Sequence, residues 1–219
     1  MSNPLLVIGN KNYSSWSLRP WIFMRQHQLQ FDEKRVALFT ENTNSELSEY
    51  HSDCKVPILK DRGLVIWDSL AILEYLSERY LNNRGWPSSI DVRAVARSIS
   101  SEMHSSFHNV RNELPMNCRK SFQNLILSDE AKSEVDRISW LWETCRIDYG
   151  AGGDWLFGDF TIADAMFVPV ALRFYSYNIA LGHIQAQYVE TVMANPHIRE
   201  WIQAGMQESE IIQAAEIAT

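Results

Sequence analysis

Three short stretches of this sequence put hydroxyl, carboxylate and backbone groups where a ligand is readily held, and a fourth resembles them but reads differently. Tyr13-Ser14-Ser15-Trp16-Ser17 lies between an apolar run and a helical pattern. At a helix start the unpaired N–H groups and the dipole favour negative charge. A serine there can cap the helix or donate to a bound thiolate, and one of these serines is expected only to cap. Lys55-Val56-Pro57 stands before a strand, where proline costs no central ladder bond. If the Val56–Pro57 bond were cis, the Val56 N–H and C=O would be free to pair with an extended peptide, but cis X–Pro bonds are a small minority. Asp68-Ser69 opens another helix. Its N–H groups and hydroxyl suit a carboxylate and Asp68 suits an ammonium, so the pair matches an α-amino-acid head; taken by itself, a plain N-cap is the favoured reading. Thr161 and Asp164, at capping-box spacing with an acid in the usual Glu or Gln position, read as a folding signal.

Other groups carry less. His104, His108 and Arg111 are expected on one face of one helix beside its apolar stripe. A histidine pair at i, i+4 can ligate a metal, but no third ligand accompanies it, so no metal is expected. Arg173, Tyr175 and Tyr177 follow an apolar helix and could reach the same pocket, or serve packing. Cys54 has a cationic neighbour in Lys55, so a reactive thiol competes there with an inert one. Trp140, Trp142 and Trp155 read as core or interface residues.

The elements that must position these groups divide the chain. Leu5 to Ile8 suits a buried strand, Ser17 to about His27 a helix with Pro20 in its first turn, and Phe31 to Ala37 a second strand. Asn44 to Tyr50 is a short helix or irregular. Val56–Lys60 and Leu64–Trp67 flank Asp61-Arg62-Gly63 as a hairpin. Leu73, Leu76 and Tyr80 continue the helix opened at Asp68 and Ser69. The order predicts a mixed sheet with helices packed on it over residues 1–80. Residues 81–89, with Asn-Asn, Gly85 and Pro87, read as a linker. Residues 90–219 read as all-helical: Val92, Val95, Ala96, Ile99, Met103 and Phe107 form one stripe, and Ala131, Val135, Ile138, Trp142 and Cys145 another. Thr161 to Phe174 is apolar nearly all round, which marks a helix central to a bundle.

The totals fit such a protein. The 219 residues are 46% hydrophobic and 21% charged, enough for a packed core. A net charge of −7 argues against a nucleic-acid partner. Three scattered cysteines with no CxxC fit a reducing compartment. The start has no basic, apolar leader pattern, and the Ile162–Phe174 run, broken by Asp164 and Arg173, is too short to span a bilayer. A cytoplasmic protein without a membrane partner is expected.

In this order and at these separations, the serine-rich turn, Val-Pro, Asp-Ser and Thr-Ile-Ala-Asp resemble the cytosolic glutathione transferase family over nearly the whole chain. The resemblance implies a thioredoxin-like N-terminal domain followed by an all-helical C-terminal domain, a cis Pro57, a homodimer, and glutathione as co-substrate. Ser14-Ser15, with Ser17 and Arg19, looks like the serine motif of the zeta class, although Trp16 stands where zeta has cysteine; the longer string Gly9 to Trp21 looks more like an unclassified bacterial branch. On that match Ser14 (zeta analogy) or Ser15 (theta analogy) stabilises the thiolate, with Ser14 preferred. Trp16, Lys55, Val56, Pro57, Asp68 and Ser69 bind glutathione, and His104, His108, Arg111 and Arg173 line the pocket for a small electrophile. A free thiol has a pKa of about 8.5, and lowering it by about two units takes roughly 2.7 kcal/mol of preference for the anion. A hydroxyl bond plus a helix N-terminus can supply that. The alternatives implied are a zeta-type cis–trans isomerase, which needs a carboxylate-binding cation such as Arg111 or Arg173, and a non-catalytic glutathione-binding regulatory module.

Overall fold

The computed structural model describes residues 3–217. Four strands form one mixed sheet in the order β2-β1-β3-β4. They are β1 (Leu5–Ile8), β2 (Asp32–Arg35), β3 (Ile58–Asp61) and β4 (Leu64–Trp67). β1 runs parallel to β2 and antiparallel to β3, which pairs antiparallel with β4. α1 (Ser15–Gln26) makes the crossover between the parallel pair, α2 (Thr43–Ser48) leads toward β3, and α3 (Ser69–Leu81) follows β4. Strand alternation splits the buried residues between two faces. Leu6, Ile8 and Leu59 join the main core, while Val7 and Ile58 pack with Val36 and Leu47 on the opposite face. This is the thioredoxin-like arrangement.

The hairpin turn is tight because Arg62 and Gly63 both take positive φ, 51° and 82°. That backbone matches the strand twist and suits glycine. β2 is shorter than its apolar pattern suggested, and Asn44 to Tyr50 resolves into the single helix α2 and a turn.

The remainder is helical: α4 (Ile90–Ser105), α5 (His108–Glu113), α6 (Asp129–Tyr149), α7 (Ile162–Ser176), α8 (His183–Ala194) and α9 (Pro196–Gln207), then a short 3-10 turn at Gln213–Ala215. In α7 every residue from Ile162 to Phe174 is buried. Its start carries the capping box: Thr161 accepts from the Ala163 N–H at 3.2 Å, and Asp164 accepts from the Thr161 N–H at 2.8 Å. Asp164 also accepts from the Leu156 N–H and the Tyr188 hydroxyl. Trp142 is buried and Trp155 half-buried, whereas Trp140 faces solvent.

α1 packs against α7, so one apolar cluster runs from Leu18, Trp21 and Ile22 to Ala163 and Phe167. Two local expectations are corrected. α1 begins at Ser15, two residues earlier than expected, so Pro20 lies in its second turn rather than its first. The stripe ending at Phe107 is also not one helix. α4 stops at Ser105 and Phe107, at φ 62°, turns the chain into α5.

Candidate functional site

One cavity of about 900 Å³ lies over the N-terminal ends of α1 and α3. Ser14, Ser15 and Trp16 line it from the first loop, Lys55, Val56 and Pro57 from the turn before β3, and Asp68 and Ser69 from the start of α3. The fold thus brings three distant stretches together at two helix starts, where unpaired N–H groups are presented. Among the described residues no hydrogen bond uses the Val56 N–H or C=O, and the Val56–Pro57 peptide is cis. Lys55 is exposed at the rim.

The two serines are differently employed. Ser14 is the N-cap of α1: its oxygen accepts from the Ser17 N–H at 3.4 Å, and its hydroxyl donates to Ser17 Oγ at 2.7 Å. Ser17 Oγ also accepts from the Gly9 N–H. Ser15 Oγ accepts from the Arg173 guanidinium at 3.1 Å, and among the described residues nothing accepts its own hydrogen. Ser15 is therefore the hydroxyl with a donor to spare.

At α3, Asp68 Oδ1 accepts from the Leu70 and Ala71 N–H groups, so the cap and the cavity wall are the same residue. Its Oδ2 meets His104 Nε2 at 2.6 Å. Asp68 sits at φ 73°, a backbone region uncommon outside glycine, held by these bonds. Ser69 Oγ accepts from Arg19 at 3.2 Å.

Behind the wall lies a cationic layer. The Arg19 guanidinium stacks over Trp16 at 4.1 Å and that of Arg111 at 4.8 Å, while His104 meets the same ring edge-on at 5.4 Å. Arg19 is buried with its Nε unpartnered. Burial, then the charges of Arg111 and Arg173, lower its pKa, opposed by Asp68. Sequence reasoning used Arg19 only as a landmark, since an arginine inside a helical stripe gives no sign of its buried contacts with Ser69 and Trp16.

The expected electrophile group is redistributed. None of His104, His108, Arg111 or Arg173 lines the cavity. His108 is exposed and stands on α5, not on the helix of His104, because the chain breaks at Phe107. Arg111 donates to the carbonyls of Met103, His104 and Ser106, closing the end of α4. Arg173 is buried against Leu114 and Ser15. Tyr175 is exposed, and Tyr177 is buried with its hydroxyl on the Pro115 carbonyl. The opposite wall comes instead from Leu38, Phe39, Trp67 and the C-terminal residues Ile212, Ala214 and Ala215. Those tail residues carry no motif, and their sequence gave no signal. Cys54 lines the cavity, with its thiol donating to the Asn44 and Ser52 carbonyls. All three cysteines are unpaired, among the described residues no cluster could hold a metal ion, and no helix is long and apolar enough to cross a membrane.

Comparison with known proteins places these features in a family context. Residues 13–79 match the family model "Glutathione S-transferase, N-terminal domain". A Caenorhabditis elegans protein named as a probable maleylacetoacetate isomerase is 35% identical over 112 residues, 51% of this chain and 52% of that protein. The dichloromethane dehalogenase of Methylophilus leisingeri is 38% identical over 74 residues, 32% of this chain and 28% of that protein. The chain thus spans about half the length, or less, of these curated relatives. A crystal structure of a Burkholderia glutathione transferase homologue with bound glutathione superposes with a TM-score of 0.71 at 21% identity, covering 94% of this chain and 99% of that one.

Proposed function

We propose, from the match of residues 13–79 to the glutathione S-transferase N-terminal domain model and the fold shared with a glutathione transferase homologue, that this protein is a serine-type glutathione transferase. It binds glutathione in the cavity and activates its thiol for attack on, or reduction of, small electrophiles. The observation that carries this is the convergence of Ser14, Ser15, Trp16, Lys55, Val56, Pro57, Asp68 and Ser69 on one cavity from three separate stretches. The unused Val56 N–H and C=O suit the cysteinyl backbone. Ser69 and the start of α3 suit the γ-glutamyl carboxylate, Asp68 the ammonium, and Lys55 the remaining carboxylate.

The sulfur then meets Ser15. Ser14 spends its hydrogen on Ser17, whereas the Ser15 hydrogen is free, so the preference for Ser14 by zeta analogy is reversed. The Ser15 hydroxyl donates to the thiolate, and the sulfur attacks an electrophile held against Phe39, Ile212 and Ala215. A carboxylate-directed isomerisation of the zeta type is less well supported, because Arg111 and Arg173 spend their donors inside the protein. Three unpaired cysteines support a reducing, cytoplasmic setting, and a second copy of the chain is the proposed partner. The domain division stays as proposed, 1–80 and 90–219 about an 81–89 linker.

The test is turnover of a model electrophile with glutathione. Ser15→Ala should lose about 100-fold in kcat/KM, and Ser14→Ala much less. Glutathione binding by calorimetry without turnover by the wild type would replace the enzyme with a binding module. Equal losses in both serine variants would remove the assignment to Ser15.

A further inference from the structure

Arg173 puts a buried positive charge directly behind the hydroxyl assigned to the thiol. From α7 its Nε donates to the Leu114 carbonyl at 2.7 Å, and its terminal nitrogens donate to the Pro169 carbonyl at 3.4 Å and to Ser15 Oγ at 3.1 Å. The residue is 5% exposed. The charged and titratable groups bearing on it are Arg111 on α5 and Tyr177 at the C-cap of α7, and Arg19 on α1 feels its charge in turn. None of these is a carboxylate. A buried guanidinium with no carboxylate partner among the described residues is costly, and its three bonds join α7, the end of α5 and the cavity serine.

A guanidinium only donates. Ser15 must therefore accept through a lone pair, and its hydrogen, unclaimed elsewhere in the described chain, is left for the cavity. A hydroxyl that accepts from a cation becomes a stronger donor, and in a low-dielectric setting the charge also favours an anion beyond it.

We infer that Arg173 is a positioning residue for thiol activation, which orients the Ser15 hydrogen toward the cavity and strengthens its bond to the glutathione sulfur. The inference rests on the glutathione reading above. In the step itself the sulfur's proton leaves for bulk water, the Ser15 O–H bond stays intact, and the hydroxyl donates to the sulfur anion. Burial and Arg111 lower the Arg173 pKa to about 9, which leaves it charged at neutral pH. The helical half thereby contributes to the chemistry of the N-terminal half without touching substrate.

The test is a pH titration of bound glutathione by ultraviolet thiolate absorbance in the full-length protein. It compares wild type, Arg173→Lys, Ser15→Ala and the double variant. Lysine keeps the charge and most of the bulk but not the fork that reaches both Leu114 and Ser15. Arg173→Lys should raise the apparent thiol pKa by about one unit, about a tenfold fall in the thiolate-to-thiol ratio and about threefold less thiolate at about pH 7. Added to Ser15→Ala, the same change should produce no further shift. Arg173→Gln, which keeps an N–H donor and loses the charge, stands in if the lysine variant does not fold, with a shift that should be larger with Ser15 present than in the Ser15→Ala background. An unshifted pKa in a folded Arg173 variant that binds glutathione normally would overturn the inference alone, as would an equal shift with and without Ser15. No glutathione binding by the wild type would overturn the reading beneath it as well.

Discussion

The Tyr13 hydroxyl donates to the Glu216 carboxylate at 2.5 Å, joining residues 203 positions apart across the mouth of the cavity. Asn117 and Lys120 hold the same carboxylate at 3.0 and 2.5 Å. Further back, the Lys11 and Asn12 N–H groups donate to Glu208, and Arg119 donates to the carbonyls of Glu208 and Glu210. The tail that supplies Ile212, Ala214 and Ala215 to the cavity is therefore fastened at both ends. Glu216→Ala should raise the KM for the electrophile about 3- to 10-fold, the scale of one net hydrogen bond, while glutathione affinity changes less. Steady-state kinetics with each substrate varied in turn checks this.

The same fastening should fail in acid. Burial raises the Glu216 pKa, but Lys120, Tyr13 and Asn117 outweigh it and hold the carboxyl below its ordinary value of 4.5. A depressed carboxyl stabilises the folded state above its unfolded pKa and loses that contribution as pH falls through the lower folded value. Protease cleavage within residues 208–217 should accelerate as pH drops below 4.5, and Glu216→Gln should be cut quickly at every pH.

His104 was expected to face the electrophile and instead braces Asp68. His104→Gln should therefore raise the glutathione KM and Kd by about 3- to 10-fold, with the electrophile KM little changed. A rise confined to the electrophile KM would return His104 to the second pocket.

Asp164 carries an opposite pH dependence. Burial raises its pKa to about 6, opposed by bonds from Leu156, Thr161 and Tyr188. A folded pKa above the unfolded one gives stability that is complete below the unfolded value of 3.8 and is lost as pH rises through about 6. The stability gap between wild type and Asp164→Asn, measured by denaturant unfolding, should narrow as pH rises from the unfolded value of 3.8 to about 6 and change little beyond it. Asp164→Ala, which strands the Thr161 and Leu156 N–H groups, should cost about 2–4 kcal/mol.

Ser14 is a test of capping. Ser14→Ala removes the acceptor for the Ser17 N–H and should cost about 1 kcal/mol of stability, visible as a lower Tm with the thiol pKa nearly unchanged.

Local pattern carried much of this in the sequence. Thr161 and Asp164 read as a cap and are one, and the all-apolar run after them is the buried α7. The hairpin needed only Arg62-Gly63 between apolar runs. The break at Phe107 was not legible, because helical spacing continues through it and only a left-handed backbone interrupts the helix. The surroundings of Arg173 were hidden for another reason. Following an apolar helix, it could have reached a pocket or served packing, and its partners, Leu114 and Ser15, lie 59 and 158 residues away in sequence. Choosing between Ser14 and Ser15 likewise required knowing which hydroxyl hydrogen was already spent.

The seam between α1 and α7 has a further consequence. The helix that presents Ser15 to the cavity on one side rests on the bundle's central helix on the other. Cutting the chain between the halves would bare Leu18, Trp21 and Ile22 to water, so the severed N-terminal piece would be sticky and its serine turn unsupported. Melting should accordingly be one event, with the ligand's loss and the bundle's collapse sharing a single midpoint.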